Sequence, residues 1–348
     1  TLALTARCNI RCAHCFGGYG PDRTEKISLG LCKETVRKFR DLGYKTLWIT
    51  GGEPFLYAED VFELVSFATA IGLNTVVGTN GFWGENISKC RQMVAKLKNA
   101  GLCYLSVSTD RFHQEFVPLS HVKNVVESSR AAGIPCQIAV VKAANDNIAD
   151  EVEKTFHKMG FKVASQSLKP FGRSTTAPHG MVPDNSYDCS KSCLGAFIIN
   201  VEANGRVFGC CGPSEIFPDS HPLWLGSILF DDLATTITQM NEDPLLHALR
   251  ILGPRNLIKL ITPESAIPHT SSATKKTKCE ECASLFADKQ FSDEVRSKLR
   301  KKDISKRIAY IEMVLHTKFT MNLQNGKNRP ISQWFNLFPA YDYLSKAG

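Results

Sequence analysis

The 348-residue chain lacks an apolar run long enough to span a bilayer, and it has no apolar secretory segment near its start. A helical membrane span and an export signal are therefore not indicated. Because the sequence starts at Thr1, the native start is expected upstream. Disulfide-scaffold density is missing as well. The 13 cysteines fall well below the roughly 8–10% of such chains, and a chain this long does not need staples. No repeat of solenoid period occurs. The formal charge is +8, with basic residues gathered at Lys275, Lys276 and Lys278 and from Arg296 to Arg307. No aromatic residues interleave with them, which argues against a nucleic-acid partner. They read first as a solvated helix face and second as ground for docking an acidic partner. These absences predict a soluble, cytoplasmic protein with neither nucleic acid nor membrane as a partner.

What is present is an alternation of strands and helices. Strands are expected at Leu2–Leu4, Thr46–Thr50, Thr75–Gly78, Cys103–Ser108, Pro135–Val141 and Lys162–Leu168. Helical spacing fills the intervals at Ile27–Leu42, Glu59–Ala70, Ile87–Ala100, His121–Ala132 and Ile148–Met159. Such repetition builds a parallel sheet with helices outside it. Six units fall short of the eight of a closed barrel of about 250 residues, so an open partial barrel is expected, with reactive groups at the C-terminal strand ends. After residue 170 the rhythm breaks at "KPFGRSTTAPHGMVPDNSYD", a linker or lid. "AFIINVEANGRVFGCC" then places a hairpin signal at Asn204-Gly205. Residues 216–278 are mixed, with a flexible loop expected at "TPESAIPHTSSATKKTK", and helix dominates from Glu280 to about Leu315. The expected domains are residues 1–174, 175–285 and 286–348.

The cysteines are clustered, which in a large α/β protein points to metal or catalysis. Cys32, Cys90, Cys103 and Cys136 sit singly in periodic apolar segments and read as small core residues. Cys8, Cys12 and Cys15 form C-x3-C-x2-C within "RCNIRCAHC". Iron–sulfur clusters normally take four thiolates, so three leave one iron open to a ligand, as in an open zinc site. A zinc knuckle completed by His14 is the competing reading, with awkward geometry for His14. Downstream, "ITGGEP" sets Gly51, Gly52, Glu53 and Pro54 at the end of strand two, "GTNG" sets Thr79 and Asn80 after strand three, and "SVSTD" sets Ser108 and Asp110 after strand four. Glycines permit close backbone approach, and a carboxylate can receive an ammonium.

Together these motifs resemble the radical S-adenosylmethionine (SAM) family. The resemblance implies a [4Fe–4S] cluster on Cys8, Cys12 and Cys15 whose open iron is chelated by SAM. It implies SAM contacts from His14 near the adenine, from Gly51, Gly52 and Glu53 at the amino group, from Thr79 and Asn80, and from Ser108 and Asp110 at the ribose and carboxylate. Asp110 reads equally as a helix cap, and Ile138 and Val140 either pack on adenine or belong to the core. Arg173, in "PFGR", resembles a segment at the end of strand six in the same subgroup and otherwise is a surface turn arginine.

The second cysteine group is Cys189, Cys193, Cys210, Cys211, Cys279 and Cys282. Its spacing resembles the SPASM/twitch auxiliary-cluster domain in the shorter twitch form. That implies a second [4Fe–4S] cluster on Cys193, Cys210, Cys279 and Cys282, although zinc would satisfy the same thiolates. Cys189 could replace Cys193. Cys211 alternates to the other strand face and is a structural thiol, an alternative ligand or a reactive group. The expected fold is thus a partial (β/α)6 barrel, a small hairpin-containing auxiliary iron–sulfur domain and a helical C-terminal region.

"STDRFHQEFVP" and "NGRVFGCCG" resemble segments of epipeptide-type epimerases, which convert L- to D-residues in ribosomally made peptides. The implied partners are a peptide substrate and an electron donor such as a flavodoxin or ferredoxin. Cys211 is the expected hydrogen-atom donor, since a thiol S–H is weak and the residue is spare in the ligand count. Peptide crosslinking, dehydrogenation of a small molecule, and a non-catalytic metal-binding scaffold are the competing readings.

Overall fold

The computed structural model describes residues 1–144, 146–176, 193–262 and 277–311. The chain divides into two compact units, one of Thr1–Asp184 with Val201–Gly205 and one of Asn185–Asn200 with Arg206–Gly348. Cys189, Lys275 and Lys276 lie outside the described residues, as do residues 312–348 of the expected C-terminal region.

In the first unit the order is β1 (Leu2–Thr5), α1 (Leu29–Asp41), β2 (Thr46–Gly51), α2 (Ala58–Ala70), β3 (Asn74–Thr79), α3 (Ile87–Asn99) and β4 (Tyr104–Ser108). There follow α4 (Arg111–Gln114), α5 (Leu119–Ala131), β5 (Cys136–Lys142), α6 (Asn147–Lys158) and β6 (Lys162–Ser167). The strands lie in the order β6-β5-β4-β3-β2-β1, every neighbouring pair parallel. Parallel neighbours need long crossovers, and the helices supply them. A short β7 (Asn200–Val201) continues the sheet beside β1, with Leu2 opposite Val201.

Residue choice explains the elements. All four residues of β1 are buried, as a parallel strand covered on both faces requires. Ile49, Val77 and Leu105 stand in register on three adjacent strands, each 0% exposed. Burying each contributes about 1.5–3 kcal/mol. On α6, Ala149, Val152 and Phe156 form the buried stripe at helical spacing, and the Asp146 side chain caps the first turn. Of the four single cysteines, Cys32 and Cys90 are buried as expected, but Cys136 is half-buried and Cys103 is exposed. Cys103 falls just before β4 begins, at the N-terminal sheet edge, where the apolar periodicity no longer reports the core.

In the second unit β8 (Arg206–Phe208) pairs antiparallel with β9 (Trp224–Ser227). The expected turn before β8 is present, with Gly205 at φ 87° donating its N–H to the Glu202 carbonyl at 2.8 Å. Helices follow at α7 (Leu233–Glu242), α8 (Pro244–Ile261), α9 (Lys278–Phe286) and α10 (Lys289–Leu299), and helix resumes over the described residues 302–311. The first two, α7 and α8, occupy the region that the sequence left mixed. The reason is visible at Gly253-Pro254, where Gly253 adopts φ 74° and splits α8 into two segments. Proline there lacks the N–H and clashes with the preceding turn, so no single helical period runs through. Within the basic stretch, Arg296 pairs with Asp243 at 2.8 Å, while Arg300, Lys301, Lys302, Lys306 and Arg307 are exposed. Among the described residues, no helix is long and apolar enough to cross a membrane.

Candidate functional site

All six parallel strands of the first unit present their C-terminal ends to one edge. The chain leaves β1 at Thr5 and forms the cysteine loop there. Cys8 donates its N–H to the Gly20 carbonyl at 3.1 Å, and Cys15 donates to the Cys12 carbonyl at 3.1 Å. Cys8 and Cys12 are buried and Cys15 is half-buried. Burial raises the Cys8 thiol to about 11, helped by the nearby Glu53 and Cys15. Burial raises Cys12 further, with Asp110, Cys15 and Cys8 adding to it. These thiols hold their protons at neutral pH, so a metal taken up here displaces them.

The two glycines of GGEP are required by close approach. Gly51 has φ 131°, and a Cβ on it would lie 2.3 Å from the Thr5 carbonyl oxygen. A Cβ on Gly52 would lie 2.1 Å from the Arg7 carbonyl oxygen. The backbones are instead joined, Gly52 N–H to Thr5 O at 2.7 Å and Glu53 N–H to Arg7 O at 2.9 Å. The end of β2 is thereby locked against the start of the cysteine loop.

Glu53 is 0% exposed. Its carboxylate accepts from the Thr79 hydroxyl at 2.9 Å, the Asn80 N–H at 2.7 Å and the Phe55 N–H at 3.0 Å. A carboxylate after two glycines at a strand end is expected to have little packing role; the structure makes it the tie between the ends of β2 and β3. Asn80 continues the tie by donating its side-chain N–H to Asn9 at 2.9 Å, with Cys8 Sγ at 3.9 Å. Among the described residues no cation forms a salt bridge with Glu53, and burial outweighs the three hydrogen bonds, raising it to about 7. A buried carboxylate with that balance fits an incoming ammonium.

Asp110, also 0% exposed, has the opposite outcome. Its Oδ1 accepts from the N–H groups of Phe112 and His113 and lies 2.9 Å from His113 Nδ1. Its Oδ2 accepts from Val141 N–H at 3.1 Å. Burial pushes the carboxyl up, but His113, with its hydrogen bond, and His14 outweigh that and hold it below its ordinary value. Asp110 therefore caps α4 and fixes His113. His14 stacks on Phe112 at 4.5 Å between ring centres, and its Nε2 is 3.9 Å from Asp110 Oδ2. Burial lowers His14 to about 4, so its ring is neutral. His14 Nδ1 is buried without a hydrogen-bond partner among the described residues. A ring nitrogen from each of His14 and His113 falls within 4.8 Å of Cys12 Sγ and of the other. His14, expected to be awkwardly placed as a ligand beside the cysteines, comes together with Cys12 and His113.

Arg173 is not a surface turn residue. Its Nε donates to the Cys12 carbonyl at 2.9 Å and its N–H to the Cys15 carbonyl at 3.1 Å. Gly172, at φ 59°, passes so close that a Cβ would meet the Cys15 carbonyl oxygen at 2.4 Å. The segment after β6 thus clasps the cysteine loop. Ser108 ends β4 half-buried, and Ile138 and Val140 are buried on β5. Sequence reasoning did not assign roles to Asn9, Phe112 and His113. The Asp-x-x-His spacing of "DRFH" was the available signal for His113.

The second unit gathers another set of thiols. Cys193 precedes a short turn, Cys210 follows β8, and Cys279 and Cys282 occupy one face of α9, three residues apart. The Thr277–Glu280 capping box anchors that helix start. Burial raises Cys210 and Cys282 well above the ordinary cysteine value; Cys210 also feels Cys211, Cys193 and Cys279, and Cys282 feels Cys193, Cys210 and Cys279. Gly212 N–H reaches Cys210 Sγ at 3.4 Å. Cys210 is buried and Cys211 exposed, the alternation a strand end produces. Cys211 Sγ lies where a Cβ on Gly195 would sit only 3.0 Å away. His221, which no motif announced, is 1% exposed and rests on Phe217 at 4.5 Å between ring centres. Burial lowers it to about 4.

Comparison with known proteins agrees with this arrangement. The sequence matches the Radical SAM superfamily over residues 2–158. It is 26% identical over 300 residues to YydG of Bacillus subtilis strain 168, a protein ascribed to peptide biosynthesis, covering 82% of this chain and 91% of YydG. It is 33% identical over 166 residues to the AdoMet-dependent heme synthase of Methanosarcina barkeri, covering 44% of each. The structure of native anSMEcpe with bound AdoMet shares the fold, with a TM-score of 0.52 at 14% identity, over 90% of this chain and 98% of that one. With its three loop thiols and the strand-end groups around them, the region at residues 2–158 is a Radical SAM domain.

Proposed function

We propose that this radical SAM enzyme epimerises L-residues of a ribosomally made peptide to D-residues. The observation that carries the chemistry is the meeting of the Cys8–Cys12–Cys15 loop with a buried Glu53 that forms no salt bridge among the described residues, at one sheet edge. When bound, a [4Fe–4S] cluster with SAM supplies a 5′-deoxyadenosyl radical that removes a hydrogen atom from the substrate. Cys8, Cys12 and Cys15 would hold the cluster, and Arg173 with Gly172 would keep their loop in shape. Glu53 would receive the SAM ammonium, with Thr79 and Asn80 holding its carboxylate and Gly51 and Gly52 letting the backbone approach. His14 would lie by the adenine. Ser108 would close the ribose side, and Asp110 would act there by orienting His113 and His14. Cys193, Cys210, Cys279 and Cys282 would hold an auxiliary [4Fe–4S] cluster in a SPASM/twitch-type domain. Reducing electrons would come from a small carrier such as a flavodoxin or ferredoxin.

Support for a peptide comes from YydG, whose similarity extends over most of both chains, and from the two epimerase-like segments. Cys211 is the proposed hydrogen-atom donor: its S–H bond would break as the new Cα–H bond forms, and the thiyl radical left on sulfur would take one electron from the reduced carrier and one proton from solvent to restore the thiol. Its exposure beside the buried Cys210 supports access to a substrate radical, and it sits close enough to Cys193 and Cys210 for their charges to interact. The test is turnover of a candidate precursor peptide in deuterated water with reductant and SAM. The parent should yield D-residues carrying one solvent deuterium with no mass change from lost hydrogen. Cys211→Ala should keep its iron and still form 5′-deoxyadenosine, yet give no D-residue. A product short of two hydrogen atoms would replace epimerisation with crosslinking or dehydrogenation. Normal epimer from the variant would remove Cys211 from the mechanism, and loss of about four irons would make it a ligand.

A further inference from the structure

His221 is a fully enclosed imidazole that the proposed reaction does not use, and its tautomer can be read from its contacts. Nδ1 accepts the N–H of Leu223 at 3.2 Å. A neutral imidazole accepting at one nitrogen carries its proton on the other, so Nε2 is the donor. Nε2 faces two acceptors of one residue, the Cys282 carbonyl at 3.3 Å and Cys282 Sγ at 3.9 Å. The ring cannot easily turn away. Its backbone is pinned by His221 N–H to Pro218 O and by Trp224 N–H to His221 O, both at 2.9 Å. Phe217 lies against one side, and Phe286, one helical turn after Cys282 on α9, stands edge-on at 6.3 Å.

A hydrogen bond donated to a ligating sulfur withdraws charge from it and favours the reduced form of the metal centre, and such outer contacts also fix the ligand's orientation. We propose that His221 is a positioning residue for Cys282, aiming its thiolate and raising the reduction potential of the centre held by Cys193, Cys210, Cys279 and Cys282. This rests on the reading of those four thiols as an auxiliary iron–sulfur centre.

The test uses the full chain, reconstituted with iron and sulfide, with His221→Phe and His221→Gln beside the parent. Phenylalanine keeps the ring packing and deletes the donor. Glutamine can place an amide N–H near the Nε2 position. Iron and sulfide are counted, and the cluster signal insensitive to SAM is titrated by electron paramagnetic resonance. The expected result is full iron in all three proteins. At a fixed potential the ratio of reduced to oxidised centre should fall at least tenfold in His221→Phe, about 59 mV for a one-electron couple, with most of it restored in His221→Gln. An unchanged potential in His221→Phe at full iron would overturn the proposal. So would loss of the centre in both variants, which would make His221 a ligand or a purely structural group. A parent chain with one cluster only would refute the auxiliary-centre reading itself, and that result is visible before any variant is made.

Discussion

In the first unit three cysteines lie between Cys8 and Cys15 on a single loop, pinned by the ends of β2 and β3 and by the segment after β6. In the second unit the four gathered thiols come from Cys193 to Cys282, on a turn, a strand end and a helix. The first site is shaped by a sheet whose strands pair without it. The second brings distant parts of the chain together, so a metal bound there, as proposed, would close long loops and its binding energy would become folding energy. The polar groups differ in the same sense. Glu53, Asp110 and Asn80 knit strand ends around the first set, whereas in the second His221 Nε2 approaches Cys282 Sγ and the Gly212 N–H approaches Cys210 Sγ.

This contrast can be broken by removing one set at a time. Cys8→Ala, Cys12→Ala and Cys15→Ala together should abolish SAM cleavage and leave about four irons per chain, with the helical and strand signal of the parent in circular dichroism. Collapse of the fold would show that the sheet does not shape the first site unaided. The converse pair, Cys279→Ala with Cys282→Ala, should retain SAM binding but expose the second unit to limited proteolysis. Equal protease resistance with and without those thiols would deny the metal its folding role.

Gly52→Ala comes next in size. A new Cβ 2.1 Å from a backbone oxygen meets an atom that cannot swing aside, and relief costs about 1–3 kcal/mol or more. Iron loading of the SAM-binding centre should fall while that of the second centre stays. Full loading of both would mean that the join between β2 and the cysteine loop is dispensable.

A smaller effect is expected at Glu53. Glu53→Gln removes the charge-assisted contact to an ammonium, roughly 1.5–3 kcal/mol or about 10- to 150-fold in SAM affinity, with both centres retained. The parent should also show a pH dependence. With its carboxyl raised to about 7, Glu53 must release a proton before pairing with a cation. SAM affinity should therefore rise about tenfold per pH unit below 7 and level off above it, and Glu53→Gln should abolish the slope. Without SAM the sign reverses. The folded value exceeds the ordinary one of about 4.3, so this group's contribution to stability is full below that pH and is lost as pH rises through about 7. A flat affinity profile in the parent would place the SAM ammonium elsewhere.

Much of the first unit was legible because its signals are local. Period-two and period-3.6 runs mark six strands and their helices, and each motif at a strand end has one sequence position. What was not legible is how those ends meet. That Glu53 is a buried tie, that Arg173 clasps the cysteine carbonyls and that Asp110 fixes His113 all depend on strands adjacent in space. Single-cysteine burial failed at Cys103 for a related reason, since a strand's first residue is set by the edge of the sheet. In the second unit even the elements were partly hidden, because Gly253-Pro254 interrupts α8, and His221 stands among turn residues with no spacing to mark it.

Metal analysis with Mössbauer spectroscopy of the anaerobically reconstituted parent chain tests the two-site account most directly. About eight irons, resolved as two four-iron clusters of which only one changes on adding SAM, is the predicted result. Four irons in a single SAM-responsive cluster, with zinc held by Cys279 and Cys282, would contradict it.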